Sequence, residues 1–344
     1  MKSNRGITLI VLVITIIIII ILAAVVILTF NKNNPIKNAE EAKFKNDIAS
    51  IQNQLSIYAS SKYTDSQGEY DIKTMNGKIS EYMSEITQYD KDIKVIKGKL
   101  ICETYDAEHL EWCKEIGIAA YVNDGLNLWL DGYSIPENIN GEYYWVDSSK
   151  SSNNALMQNF VDVNAGAITE SGYDAVTKSY NISGNNEYFK LRQPLESKGF
   201  TISLVYEPSR INTNYELIYS GTDNIDIQIF FDRANKKLTT SIENIERSVD
   251  LELNNDTINK TYKIDFTFDQ NTKKRIVYVN NVELQNVTES IAYELNDTQV
   301  VLGRVLNGYY TIKGKYKNIM IYNRALNANE IESNFKADKL KYEF

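Results

Sequence analysis

Histidine is all but absent from this chain: His109 stands alone among 344 residues. One imidazole excludes zinc centres built on several histidines and weighs against Ser-His or Cys-His catalysis. Cysteine is almost as scarce, with only Cys102 and Cys113. Two cysteines without C-x-x-C spacing exclude a disulfide scaffold and a structural zinc finger. Two readings of the pair stay open: one bridge, if this region lies outside the cell, or two small apolar core residues. Basic excess is missing too. The net charge is −8 with no basic stripe, which argues against nucleic acid, because counterion release needs clustered Lys and Arg. With 4 prolines, 43% hydrophobic and 24% charged residues, the composition is globular, and the length suggests two or three folded units.

One long hydrophobic run is present. Residues 7–30, "ITLIVLVITIIIIIILAAVVILTF", carry no charge, and their only polar side chains are Thr8, Thr15 and Thr29. Twenty-four residues at about 1.5 Å each span roughly 36 Å, enough to cross a ~30 Å hydrocarbon core with some tilt. A secretory apolar region is shorter and ends in a small-residue cleavage site, so this one is expected to stay attached. Lys2 and Arg5 precede it, which predicts a cytoplasmic amino end, one pass through the lipid bilayer of the cell membrane, and everything from residue 31 outside.

After Pro35 the pattern predicts a helical stem. Phe44, Ile48, Ile51, Leu55 and Tyr58 form one apolar stripe, with Lys43, Lys45, Asp47 and Gln52 off it. "NGKISEYMSEITQY" (76–89) predicts a short helix with Ile79, Tyr82, Met83 and Ile86 on one face. "DIKVIKGKLICET" (92–104) predicts a hairpin turning at Lys97-Gly98. "DAEHLEWCKEIGI" (106–118) predicts a helix capped by Asp106 and ending near Gly117. His109, among Glu103, Glu108 and Glu111, reads as an exposed helix residue. Residues 31–120 are thus a stem and small α+β stalk.

From Leu126 the periodicity shortens. "LNLWLD" (126–131), "GFTISLVYE" (199–207), "IDIQIFFD" (225–232), "KLTTSIE" (237–243), "TYKIDFTFD" (261–269), "KRIVYVNN" (274–281), "QVVLGR" (299–304) and "KYKNIMIYN" (315–323) read as strands. Many short strands divided by Asn, Asp, Gly and Ser clusters predict a mainly β chain ending in a jelly-roll β-sandwich.

Two resemblances sharpen this. The short basic leader, Gly6 and "ITLI" running into a long apolar helix resemble the class III signal of type IV prepilins and pseudopilins. The resemblance implies a leader over 1–6, cleavage by prepilin peptidase between Gly6 and Ile7, methylation of the new amino end, and other pilin-like subunits as partners in a type IV pilus or type II secretion pseudopilus. Val11 departs from the pattern, since the family has glutamate there to pair with a neighbouring amino terminus. That departure suits a minor or tip subunit. The competing reading is an uncleaved signal anchor.

"GLNLWLDG" (125–132), "WVDSSKSSNNA" (145–155), "GFTIS" (199–203), "YVNN" (278–281) and above all "NIMIYNRALNANEIESNF" (318–335) resemble the LamG-like concanavalin A-type domains of bacterial surface proteins, over about 124–340. In the last phrase Asn327 and Glu330 form a capping arrangement, and Ile331 and Phe335 share the face expected to dock on the sheet. The resemblance implies a glycan or extracellular matrix ligand. Sugar sites combine aromatic faces with a few fixed polar groups. "GEYYWVDSS" (141–149) offers Tyr143, Tyr144, Trp145 and Asp147, and "RVLNGYY" (304–310) offers Arg304, Asn307, Tyr309 and Tyr310, both expected in loops. Against this, Trp145 also reads as core. Calcium at Asp131 or Asp147 is implied by analogy only; no other cofactor is. Glucanases of this fold carry Glu-x-Asp-x-Glu on one strand, because retaining hydrolysis needs two carboxylates about 5 Å apart. The nearest stretch here, Asn224 to Gln228, keeps Asp226 and lacks both flanking acids. Adhesion without catalysis is therefore expected. The alternatives are a structural minor pilin and a surface glycoside hydrolase.

Overall fold

The computed structural model describes residues 35–166, 170–209, 215–220, 226–232, 235–251, 258–304 and 312–344. The apolar run 7–30, with Gly6, Ile7 and Val11, lies outside them, as do Asn224, Asn307, Tyr309 and Tyr310. Among the described residues no helix is long and apolar enough to cross a membrane.

Helix α1 (Pro35–Asp65) buries Phe44, Ile48, Ile51, Leu55 and Ala59, one stripe at helical spacing. It packs on a four-stranded sheet that contains the Ile93–Ile96 and Lys99–Cys102 hairpin. Lys97 (φ 51°) and Gly98 (φ 74°) close that hairpin, both left-handed as a two-residue type I′ turn requires. A Cβ on Gly98 would lie 2.5 Å from the Ile72 side chain, so glycine also answers a close approach. Helix α2 (Ala107–Glu115) starts where the Asp106 carboxylate accepts from the Glu108 and His109 amides. Cys113 on α2 is disulfide-bonded to Cys102 on the hairpin. His109 is packed, not free on the surface. It stacks on Tyr105 at 4.7 Å and meets Phe44 edge-on at 5.0 Å. The helix expected around Ile79 is a single 3₁₀ turn, Ile79–Glu81. Ile79 and Met83 are buried all the same, because packing into the α1 core places them there and helical spacing does not.

The distal unit is a mainly β sandwich. Among the described residues it has two sheets of nine strands each. At the centre of the first, Gly199–Pro208 lies antiparallel between Tyr262–Asp269 and Gly314–Tyr322. The second runs in order through Ile245–Asp250, Lys237–Ile242, Ile227–Asp232, Tyr215–Ser220, Val300–Leu302, Tyr188–Leu191, Ala155–Gln158, Glu142–Trp145 and Glu137–Ile139. Alternate residues of both sheets, including Phe200, Leu204, Phe266, Ile229, Leu302 and Phe189, fill the core between them. Each of the eight alternating runs read from the sequence lies on a strand.

Helix α3 (Ala328–Tyr342) starts at the Asn327–Glu330 capping box. It runs further than its apolar spacing suggests, and its docking face is different. Ile331 is buried, but Phe335 is only half-buried against Phe344. The docked face carries Asn334, Asp338 and Lys341 as well. Asn334 Oδ1 accepts from the Val122 amide at 2.9 Å, and Ser333 donates to the Ala120 carbonyl at 2.7 Å. Lys341 Nζ reaches Glu103 of the stalk and Asp131 of the sandwich, each at 2.6 Å. Trp129, Met320 and Tyr322 from the outer face of the first sheet join the stalk residues in one core. Stalk and sandwich are therefore fused beneath α3.

Candidate functional site

With α3 and the stalk over the first sheet, the second sheet supplies the other broad face. Register places one transverse row on its outer side, from Glu137 and Tyr144 through Leu156, Lys190 and Val301 to Tyr219, Gln228 and Ser241. Glu137 and Lys190 are exposed, Tyr144 and Leu156 half-buried, and Val301 to Ser241 buried. The accessible part of the row is the Glu137–Lys190 end.

The aromatic cluster around Trp145 sits in a strand, Glu142–Trp145, not in a loop. The period of two therefore splits it between faces. Trp145 is fully buried, stacks on Tyr180 at 4.1 Å, and donates its indole N–H to the Asp131 carbonyl at 2.9 Å. It belongs to the core and has no face for a sugar. Tyr143 packs half-buried on that core. Tyr144 alone points outward. Its hydroxyl donates to Glu142 Oε2 at 2.8 Å, a bond that holds the phenol above its ordinary pKa. The Arg304 guanidinium lies 4.6 Å over the ring of Tyr188, a contact worth about 0.5–1 kcal/mol when exposed. Tyr188 is half-buried and precedes exposed Lys190 by two residues, on the same outward face. Tyr188 and Lys190 were not singled out from the sequence, although the alternation in "YFKL" (188–191), with Phe189 and Leu191 buried, carried the signal.

The two aspartates considered for calcium are occupied. The Asp147 oxygens accept from the amides of Trp129, Ser149 and Asn153 and from the Ser149 hydroxyl, each at 2.8 Å. That carboxylate shapes a turn. Asp131 Oδ1 accepts from the Tyr342 hydroxyl at 2.6 Å and the Tyr133 amide at 2.9 Å, and Oδ2 faces the Lys341 ammonium. An ammonium thus fills the place a cation would take. Among the described residues no three His, Cys, Asp or Glu side chains group as metal ligands.

A polar pocket of about 460 Å³, lined by Asn181, Ser183, Asn185, Lys313 and Lys315 with Glu170 at its side, was not foreseen. Its residues, Ser209 among them, come from four separated segments, so no local motif marks it. Its amides, hydroxyl and ammonium groups suit a hydroxylated or acidic ligand. Asp226 has its carboxyl pKa raised by burial, and its amide donates to the Ser220 carbonyl at 3.1 Å. Two residues on stands Gln228, an amide and not a second acid.

Residues 183–332 match a family model. It describes the concanavalin A-like lectin/glucanases superfamily. The match takes in Tyr188, Lys190, Arg304 and most of the pocket residues. Among solved structures, a SAP-like pentraxin from Limulus polyphemus is 11% identical, with TM-score 0.36 over 42% of this chain and 73% of that one. A Trypanosoma rangeli sialidase is 16% identical, with TM-score 0.45 over 64% and 34%. The ligand-binding domain of botulinum neurotoxin serotype D, solved with N-acetylneuraminic acid, is 15% identical, with TM-score 0.45 over 62% and 51%. This chain thus spans about a third of the sialidase and half of the toxin domain. No curated protein matches it.

Proposed function

We propose that this chain is a surface-display protein whose lectin-type sandwich binds glycan without catalysis. One observation carries the reading. The segment that matches the concanavalin A-like lectin/glucanases superfamily, 183–332, holds both the Tyr188–Arg304 stack and most of the polar pocket. A flat aromatic, fixed cations and amides form the donor set for shallow recognition of a hydroxylated ligand. The apolar run 7–30 is its membrane anchor in this reading, with the sandwich outside the cell and the prepilin-type leader trimmed after Gly6. Gln228, where hydrolysis wants an acid, favours binding over cleavage.

The test is a glycan array probed with the protein in detergent, beside the Y188A/R304A double variant. Binding to a defined glycan class that the variant loses is expected. A silent array, or binding the variant retains in full, refutes the reading. One observation favours the alternative of a structural subunit with no ligand. A cleft of about 870 Å³ between stalk and α3 is lined by Leu100, Ile116, Ile118 and Leu340, with Lys114 and Lys336 paired there to Glu111 and Glu332.

A further inference from the structure

Three ionisable side chains meet in the seam between the first sheet and α3. Lys263, Asp265 and Asp338 are each fully buried. Lys263 Nζ lies 2.6 Å from Asp338 Oδ2 and 3.4 Å from Asp265 Oδ1. Alternation puts Lys263 and Asp265 on the same face of the Tyr262–Asp269 strand, and α3 brings Asp338 over them. Packing alone does not call for charge here. Replacing buried ion groups by apolar residues of similar volume is often neutral or stabilising.

The surroundings of Asp338 are asymmetric. Its Oδ1 accepts from the Tyr121 hydroxyl at 2.8 Å and from the Asn318 amide at 2.7 Å. Its Oδ2 faces the amine. Two neutral donors therefore hold the oxygen on which negative charge would develop if Cγ were attacked. Burial raises the Asp265 carboxyl pKa against the pull of the Lys263 ammonium, which suits it to take up and give back a proton.

We propose that Lys263 and Asp338 condense spontaneously into an intramolecular amide, with Asp265 carrying the proton. Burial pulls the Lys263 pKa down, but the Asp265 and Asp338 carboxylates outweigh it and leave it raised, so the resting state is an ion pair. Nζ also donates to the Ser203 hydroxyl. Passing the shared proton from Nζ to Asp338 Oδ2 gives a neutral amine and a neutral acid, whose burial costs less than that of separated charges. The Nζ lone pair then forms a bond to Cγ, and the carbonyl electron pair moves onto Oδ1, held by Tyr121 and Asn318. On collapse the carbonyl reforms and the Cγ–Oδ2 bond breaks. Oδ2 leaves as water, with its own proton and a second one from Nζ relayed by Asp265. One C–N bond is made, one C–O bond is lost, one water is released, and nothing is oxidised or reduced. Fixed contact of this kind corresponds to effective concentrations of about 10⁵–10⁸ M in well-oriented systems.

The neighbouring Lys341–Asp131 pair is as close but sits in different surroundings. Lys341 Nζ lies 5.1–5.7 Å from the rings of Tyr133, Trp129 and Tyr121, which favour the ammonium over the nucleophilic amine.

Intact-mass measurement of the full chain, reduced and denatured, tests the proposal. A mass one water below that calculated for the chain, counted from a methylated Ile7 where the leader has been removed, is expected, and digestion should yield one branched peptide joining Lys263 to Asp338. Asp265→Asn should restore the full mass. Full mass in the natural protein overturns the amide. So does a water loss located elsewhere, whether in an aspartyl succinimide or between Lys341 and Asp131. A linked Asp265→Asn protein overturns the role of Asp265. If that variant does not fold, the natural protein's mass and branched peptide decide alone.

Discussion

Lys341→Met is expected to weaken the junction between stalk and sandwich. Lys341 is 2% exposed, and its ammonium contacts Asp131 and Glu103 at 2.6 Å each. Methionine matches the stem in volume, so little cavity forms, but Asp131 Oδ2 loses its cation inside the protein. Removing one partner of a buried pair costs about 3–5 kcal/mol. At about 2 °C per kcal/mol for a unit of this size, the melting temperature should fall by about 6–10 °C. Calorimetry or thermal circular dichroism reads this directly. The double variant K341M/D131N should recover part of the loss, because both charges then leave together. Burial lowers the Lys341 pKa, but Asp131 and Glu103 more than compensate and leave it well above its ordinary value of 10.5. A group whose folded pKa is raised contributes in full below its unfolded pKa and loses that contribution as pH rises through the folded one. The difference between natural protein and K341M should thus be constant from neutrality to about pH 10 and shrink only above it. A shift under about 1 °C, or a difference that already vanishes near pH 8, would refute the reasoning.

Three further outcomes follow from the same packing. Trp145→Ala should cost about 3–5 kcal/mol by denaturant titration, whereas Tyr144→Ala, on the outer face, should stay within about 0.5 kcal/mol; equal losses would mean the faces are assigned wrongly. Reducing the Cys102–Cys113 bridge, with a sequence separation of 11, should lower stability by about 2–3 kcal/mol, and hydrogen exchange should show it in the stalk and not in the second sheet. Asn327→Ala removes the acceptor for the Asn329 and Glu330 amides and should cost about 0.5–2 kcal/mol, read as earlier fraying of α3.

Local order was legible in the sequence where near neighbours set it. The α1 stripe, the Lys97-Gly98 turn, the Asp106 and Asn327 caps and the eight strands, seven of them six residues or longer, all obey rules set by near neighbours. Most of the short strands were not legible. Ser179–Ile182 and Ala155–Gln158 span four residues each and lie among asparagines and serines that read as loop. The cluster at Trp145 was misplaced for a related reason. Three successive aromatics, Tyr143 to Trp145, do not reveal which side is buried until the partner strand is known. The polar seam under α3 was invisible because its partners are remote in sequence. Lys341 meets Asp131 across 210 positions, and no periodicity marks an aspartate that will be buried. The candidate site was legible only in part: Tyr144 and Arg304 stand at the accessible end, Trp145, Asp147 and Asp131 are structural, and Tyr188, Lys190 and the pocket emerge only from the folded arrangement.

Hydroxyl-radical footprinting of the full chain, with and without a glycan to which it binds, tests the binding face most directly. Protection should fall on Tyr144, Leu156 and Tyr188 of the second sheet and on the Asn181–Lys315 pocket. Protection confined to the cleft between stalk and α3, with Tyr144 and Tyr188 labelled as in the free protein, would contradict the account.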